Sequence, residues 1–273
     1  MTTPDGIAGV SLPPRRRGRS SLEVFLTSLQ AFLLRELKNQ FGRMRLGYFW
    51  AFAEPAAMVA VLTVLHAGIR GGHASIYGED PVIFFVFGAV PYFLFSNCVS
   101  RAQGVCDSLK GLFNYRQIKP IDVMLARCLI DALLMAGVGL LFVVGWVWTG
   151  HPMHLEDPLR LLAALFSLFA LGTALGLVFE VFGTIFTDLK RIFGIIMRPM
   201  LFISGLFFTI DMVPPEYRAF LLWNPVLHAV DQARDAVLPG YASPGSFAFV
   251  WAVIGLLLFV GLGGYRRYLY RLI

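Results

Sequence analysis

The chain has 273 residues, of which 57% are hydrophobic and only 15% are charged, with a formal net charge of +6. A soluble domain of this size usually carries about 25% charged residues, so the composition argues against an ordinary soluble enzyme. The charged residues are also clustered, and the stretches between the clusters are apolar over about 20 residues, the length that an α-helix needs to cross a bilayer. We therefore predict an all-α integral membrane protein.

The N-terminal region contains no strongly apolar stretch with a small-residue cleavage site, so we expect no cleavable signal peptide. Residues 1–19 are rich in proline, glycine and arginine, and we predict a disordered cytoplasmic tail there. Ser20 and Glu23 then form a capping box, which indicates a helix start. Residues 20–42 place leucine and phenylalanine on one broad face, which is typical of an amphipathic helix in the membrane interface. The alternative is a surface helix packed on a cytosolic domain.

Six further segments are apolar enough and long enough to be membrane-spanning helices. The predicted spans are residues 49–69, 82–103, 123–149, 159–186, 192–210 and 247–265. A charged turn at residues 188–191 separates the fourth span from the fifth. Cys98, Cys106 and Cys128 lie in or near these spans, and we interpret them as packing residues rather than as a disulfide framework. Gly172 and Gly176 form a G-x-x-x-G pair that indicates close helix packing.

Two segments between the spans have a mixed character. Residues 107–120 are too polar to span a bilayer and too apolar to be a plain linker. Residues 211–246 contain two short amphipathic pieces, which Asn224 and Pro225 separate. Such a pair predicts a re-entrant helical hairpin, because irregular backbone at membrane depth is tolerated where it is buried in protein or lines a cavity. A folded periplasmic loop above the bilayer is the alternative.

The basic residues predict the orientation of the spans. If both termini are cytoplasmic, 19 of the 23 lysine and arginine residues lie on the cytoplasmic side. Because positive residues concentrate in cytoplasmic loops, this bias favours six spans with both ends inside the cell.

Motifs for catalysis are missing from the sequence. It contains no phosphate-binding G-x-x-x-x-G-K-[ST] loop and no G-x-S-x-G, H-E-x-x-H or C-x-x-C motif. His151, His154 and Glu156 could suggest a metal site, but they fall in a short exposed loop, and we predict no metal. Glu54, Glu180 and Arg198 are expected near span ends, which does not favour a proton relay through the membrane. We therefore predict neither catalytic residues nor a cofactor in this chain.

Two aromatic clusters remain as candidate sites. Arg43, Arg45, Tyr48 and Trp50 combine guanidinium groups, which bind phosphate or carboxylate, with aromatic rings that can stack on sugars. These four residues are our candidates for a substrate entrance, although an interfacial anchoring belt explains the aromatics equally well. On the opposite side, the candidates for a periplasmic gate are aromatic residues that could also serve only in packing. They are Phe207, Phe208, Tyr217 and Trp223.

Two sequence elements carry a resemblance to a known family. They are RELKNQFGRMRLGYFWAFAEP at Arg35–Pro55 and SGLFFTIDMVPPEYRAFLLWNPVLHAVDQARDAVL at Ser204–Leu238. Together with the six spans they resemble the membrane subunit of type-2 ABC exporters, specifically the capsular-polysaccharide export permeases of Gram-negative bacteria. The resemblance covers nearly the whole chain beyond residue 20.

This resemblance implies a homodimer bound to two copies of a separate ATP-binding cassette subunit, which would bind the ATP and magnesium. Residues 107–120 would form the coupling helix that docks on the ATPase, with Lys110, Asn114, Tyr115 and Arg116 as the coupling residues. The N-terminal helix would frame a lateral entrance for a lipid-linked polysaccharide, and the hairpin would line the periplasmic exit. A periplasmic co-polymerase and an outer-membrane channel would continue the pathway.

We therefore expect an inner-membrane permease that exports lipid-linked capsular polysaccharide from cytoplasm to periplasm. An O-antigen, teichoic-acid or drug exporter remains open within the same class. An integral-membrane enzyme of glycolipid synthesis and a scaffold for a synthesis complex are alternatives from other classes. Turnover by the isolated chain would favour the enzyme, and stimulation of a co-expressed ATPase would favour the exporter.

Overall fold

The computed structural model describes residues 47–70, 75–106, 119–151 and 153–272. Within these ranges the chain forms eight α-helices, a single 3-10 turn and no β-strand. The α-helices are α1 (Gly47–Arg70), α2 (Pro81–Ala102), α3 (Pro120–Trp148), α4 (Pro158–Ile185), α5 (Thr187–Ile203), α6 (Pro215–Leu221), α7 (Pro225–Asp235) and α8 (Phe247–Leu272). The predicted tail 1–19, interface helix 20–42 and most of segment 107–120 lie outside the described residues.

Three helices begin at an acidic or amide residue followed directly by proline. The side chains of Asp80, Asp157 and Asn224 each accept a hydrogen bond from a backbone N–H in the first turn of α2, α4 and α7, at 2.9–3.0 Å. Such side chains satisfy N–H groups that have no partner in the helix, and proline at the next position loses no hydrogen bond there. These starts therefore follow from local sequence, and they lie close to the predicted boundaries.

Four of the helices are long and apolar enough to cross a membrane, namely α2, α3, α4 and α8. They correspond to the predicted spans 82–103, 123–149, 159–186 and 247–265, which confirms an all-helical protein with several candidate spans. The shorter apolar stretch Ala53–His66 lies within α1, and α5 has only 17 residues. The first and fifth spans, and so the total of six, remain predictions.

Helix α5 differs from its predicted limits of 192–210. The chain breaks at Phe186, whose backbone is extended, and a helix resumes at Thr187. The charged residues Asp188, Lys190 and Arg191, expected to form a turn, thus belong to the start of α5. Asp188 suits this position because a carboxylate interacts favourably with the positive N-terminal end of a helix.

Helix α2 lies at the centre of the bundle and packs against α1, α3, α4 and α7. Its contact with α4 depends on the two glycines that the sequence singled out. A Cβ atom at Gly172 would lie 2.8 Å from the carbonyl oxygen of Phe95, and one at Gly176 would collide with Ala102. Small residues allow this close approach of backbones in membrane helices, so the predicted packing role is confirmed. All three cysteines are buried thiols, as expected for packing residues.

Helices α6 and α7 correspond to the two predicted short pieces, but they differ in environment. No residue of α6 is buried, whereas every residue from Val226 to Asp235 of α7 is buried. The polar side chains of α7 therefore face protein rather than water, because the helix packs against α2, α4 and α8. We refer to this region of the bundle as the α7 end and to the opposite region, around Glu180, as the Glu180 end.

Candidate functional sites at the two ends of the bundle

The candidate entrance residues lie at the start of the described chain. Trp50 is 62% exposed on α1, and its ring meets the edge of Phe49 with centroids 5.9 Å apart. Tyr48 belongs to the first turn of α1, and Arg43 and Arg45 lie outside the described residues. Their role as an entrance thus stays a prediction.

The candidate coupling residues Lys110, Asn114, Tyr115 and Arg116 also lie outside the described residues. The chain on either side of them is described, however. Cys106 and Pro120 line the same small cavity as Glu180, so both ends of this segment meet at the Glu180 end of the bundle.

The candidate gate residues lie on the loop after α5, on α6 and in the turn that follows α6. Phe207 is half-buried and stacks on Phe202, with ring centroids 5.3 Å apart and an angle of 9°. Tyr217 and Trp223 are 59% and 83% exposed. The structure thus brings these residues to one end of the bundle, but it leaves the rings of Tyr217 and Trp223 exposed.

The side chain of Asn224 connects the two parts of this region. Its Nδ2 atom donates to the carbonyl oxygen of Ile203 at 3.1 Å and to the hydroxyl of Ser204 at 3.2 Å. Because Asn224 also caps α7, it joins the end of α5 to the start of α7. Nε2 of His228 donates a hydrogen bond to the carbonyl oxygen of Leu222 at 2.8 Å, which closes the same turn.

Arg234 is the largest fully buried side chain among the described residues. Its guanidinium donates to the carbonyl oxygens of Phe84, Gly205, Leu206 and Phe208, and it lies 3.9 Å from the centre of the Phe84 ring. Burial lowers the pKa of Arg234 to about 10, which leaves it charged at neutral pH. The loop that carries two of the gate candidates is therefore wrapped around a buried positive charge.

A second face of α7 holds the loop that leads into α8. Asp231 accepts hydrogen bonds from the hydroxyls of Tyr241 at 2.7 Å and Ser243 at 2.5 Å. Asp235 accepts from the backbone N–H of Ser243 at 3.1 Å and pairs with Arg160 of α4 at 2.5 Å. Burial raises the pKa of Asp231, while the bonds from Ser243 and Tyr241 and the charge of Arg234 partly offset that rise.

The connection between α3 and α4 also packs onto the α7 end. His154 Nδ1 lies 2.8 Å from the carboxylate of the buried Glu79, and the backbone N–H of Glu156 donates to the carbonyl of Ala236 at 3.0 Å. His151 instead bonds the hydroxyl of Thr149 at 2.9 Å. The residues that could have suggested a metal site thus have separate protein partners.

The Glu180 end contains two polar contacts between helices. Arg101 pairs with the buried Asp131 at 3.2 Å, which links α2 to α3. Glu180 of α4 accepts hydrogen bonds from the backbone N–H groups of Gly104 and Cys106, just beyond the end of α2. By contrast, Glu54 and Arg198 are exposed.

An apolar groove of about 590 Å³ lies between α2, α3 and α4. Its lining includes Phe87, Leu94, Met135, Val143, Leu165 and Phe169. A polysaccharide needs hydrogen-bonding partners, so this lining suits contact with lipid rather than with a polar polymer.

Residues 27–238 match the ABC-2 type transporter family. The chain belongs to this family. The "Polysialic acid transport protein KpsM" of Escherichia coli is 37% identical over 252 residues, covering 91% of this chain and 96% of that protein. The "Capsule polysaccharide export inner-membrane protein BexB" of Haemophilus influenzae is 26% identical, over 79% of this chain and 81% of BexB. The corresponding CtrC of Neisseria meningitidis serogroup B is 27% identical, over 78% of this chain and 80% of CtrC. The resemblance deduced from the sequence is thereby confirmed.

Sequence reasoning about this ABC-2 type transporter missed the polar cluster on α7. A signal was present, since His228, Asp231 and Asp235 are spaced by three and four residues and so share one helix face. Arg234 had no such signal, because its partners are carbonyl groups of distant segments. Glu180 was noticed only as a charge near a span end.

Proposed function

We propose that this chain is the membrane subunit of an ATP-driven exporter that moves lipid-linked capsular polysaccharide from cytoplasm to periplasm. The observation that carries the proposal is the 37% identity to the polysialic acid transport protein KpsM over 91% of the chain. The names of BexB and CtrC, which are more distant, also refer to capsule polysaccharide export. We therefore infer that this chain exports a polysaccharide of the same class as these relatives.

The assembly we propose contains two copies of this chain and two ATP-binding cassette subunits. Helices α1 and α5 would be the first and fifth of six spans, and both leave apolar side chains exposed. The exposed residues include Val61, Val64 and Leu65 on α1 and Ile192, Ile195 and Ile196 on α5. Lipid or a second copy would cover these faces, and a channel for the polymer would open where the two copies meet.

The direction of transport follows from the predicted orientation, with both termini in the cytoplasm of an inner-membrane protein. The Glu180 end would then face the ATPase, through residues 107–120, and the α7 end would face the periplasm. Arg43 and Arg45 would hold the anionic linker of the polymer while Tyr48 and Trp50 contact its sugars. Phe207 and Phe208 would form the gate with Tyr217 and Trp223, and α6 and α7 would be the re-entrant hairpin. A co-polymerase and an outer-membrane channel would receive the polymer.

The first test is deletion of the gene in its host, with complementation by the wild-type chain. We expect lipid-linked polysaccharide to accumulate inside the deletion strain and to return to the surface on complementation. The chemical identity of the retained polymer would distinguish capsule from O-antigen export. Normal surface polymer in the deletion strain would contradict the proposal, and turnover of a glycolipid by the isolated chain would favour an enzyme.

The second test addresses the entrance. The double substitution Arg43→Ala with Arg45→Ala should reduce export while membrane insertion is retained, because two phosphate-binding groups are lost. Arg191→Ala is the matched control, since this arginine is exposed near the start of α5. Export at the wild-type level in the double variant would remove these residues from the entrance.

A further inference from the structure

Glu180 is a buried carboxylate inside a predicted membrane span, with only 3% of its surface exposed. One of its oxygens accepts a hydrogen bond from the backbone N–H of Gly104 at 2.6 Å, and the other accepts from Cys106 at 2.7 Å. The two backbone N–H groups thus bind one oxygen each and hold the side chain in a single orientation.

The turn that Glu180 holds is the point where the chain leaves α2 and heads toward segment 107–120. Gly104 has a φ of +73°, in the left-handed region that favours glycine, so the backbone can turn its N–H groups toward one carboxylate. Glu180 takes part in no ion pair between described residues. Its carboxylate is instead held by the backbone N–H groups of Gly104 and Cys106.

Little free space surrounds this contact. The adjoining cavity measures about 10 Å³ and is lined by residues before the segment (Cys106), after it (Pro120), on α4 (Leu177) and on α8 (Tyr265). A volume of this size is about the minimum for a single water molecule. The residues on both sides of the segment, α4 and α8 therefore meet around the Glu180 carboxylate.

Burying a carboxylate destabilises the folded protein, because removing the group from water costs several kcal/mol unless hydrogen bonds compensate. An apolar side chain would pack α4 against the end of α2 without that cost. What Glu180 adds is a strong, directional connection between α4 and the turn at Gly104–Cys106.

Helix α4 also reaches the α7 end. Arg160, in the first turn of α4, pairs with Asp235 of α7. Arg160 and Glu180 are 20 residues apart on the same helix, which corresponds to roughly 30 Å. One continuous helix thus binds the turn before the proposed coupling segment at one end and the buried helix beside the proposed gate at the other.

We infer that Glu180 is a positioning residue that fixes the turn at Gly104–Cys106 to α4, so that displacement of the following coupling segment by the ATPase moves α4 instead of being absorbed by the turn. This inference rests on the proposed function. It adds a specific residue and a specific helix to the path from the ATPase to the α7 end.

The experiment compares Glu180→Gln and Glu180→Asp with wild type in the complete complex with the ATPase. The glutamine keeps the size but turns an amide donor toward one of the two N–H groups, and the aspartate keeps the charge but is one methylene too short. Glu79→Gln is the matched control, because Glu79 is a buried carboxylate at the α7 end that bonds His154. The readouts are the amount of assembled complex, the rate of ATP hydrolysis and export in the complemented deletion strain.

We expect both Glu180 variants to assemble and to hydrolyse ATP like the wild type, while export falls at least about fivefold, the lower end of typical coupling between sites. The control should retain export. The inference is overturned if the variants export normally, if complex assembly is lost, or if ATP hydrolysis falls in parallel with export. Failure of the wild-type complex itself to restore surface polymer would instead reject the proposed function.

Discussion

Replacing Arg234 by methionine should destabilise the protein more than any change at an exposed arginine. Methionine keeps much of the aliphatic length of the side chain but removes the positive charge and all the N–H donors of the guanidinium. The carbonyl oxygens of Gly205, Leu206 and Phe208 would then lose their guanidinium donor inside the protein, and Asp231 would lose its nearby positive charge.

The magnitude follows from these lost contacts. A hydrogen bond to a charged group contributes roughly 1.5–3 kcal/mol, but the cost of burying the guanidinium offsets part of the total. Removing one member of a buried charged network typically costs about 3–5 kcal/mol. For a chain of this size each kcal/mol lowers Tm by roughly 2–4 °C, so we expect a decrease of about 10 °C.

Thermal unfolding of the purified complex in detergent measures this effect. Arg218→Met is the matched control, because Arg218 also donates to two backbone carbonyls, those of Val213 and Asp211, but near the surface of α6. Water can replace those bonds, so we expect the control to lower the free energy of unfolding by less than about 1 kcal/mol. A Tm for Arg234→Met close to that of the wild type, or equal losses in both variants, would refute the reasoning.

Three further predictions concern packing, ion pairing and pH. Gly176→Leu should cost about 1–3 kcal/mol in thermal unfolding through overpacking, whereas Gly255→Leu, at an open site on α8, should be nearly neutral. A double-mutant cycle of Arg160→Ala and Asp235→Ala should give a coupling energy of about 1 kcal/mol, and no measurable coupling would show that the pair is not formed. Because burial raises the pKa of Asp231, its contribution to stability is present at low pH and is lost as pH rises through that raised pKa. The Tm of wild type relative to Asp231→Asn should therefore fall as the pH rises above the ordinary titration range of an aspartate, and a pH-independent difference would contradict this.

Much of the fold was predictable because its signals are local. Apolar stretches of sufficient length indicated α2, α3, α4 and α8, and an aspartate or asparagine followed by proline marked three helix starts. The spacing of Gly172 and Gly176 indicated a close helix contact, although it could not say that α2 is the partner. The limits of α5 were misplaced because charged residues in a first helical turn resemble a polar loop.

The sequence by itself determined the class of protein, its apolar helices and its family resemblance, because hydropathy, capping and motif spacing are properties of neighbouring residues. Only the tertiary structure decided that α7 is buried and that Arg234 binds the carbonyls before α6. It alone joined Glu180 to a turn more than 70 residues earlier in the chain. The physical reason is that a backbone N–H or carbonyl is present at almost every position, so a side chain that binds one leaves no matching residue in the sequence to reveal its partner.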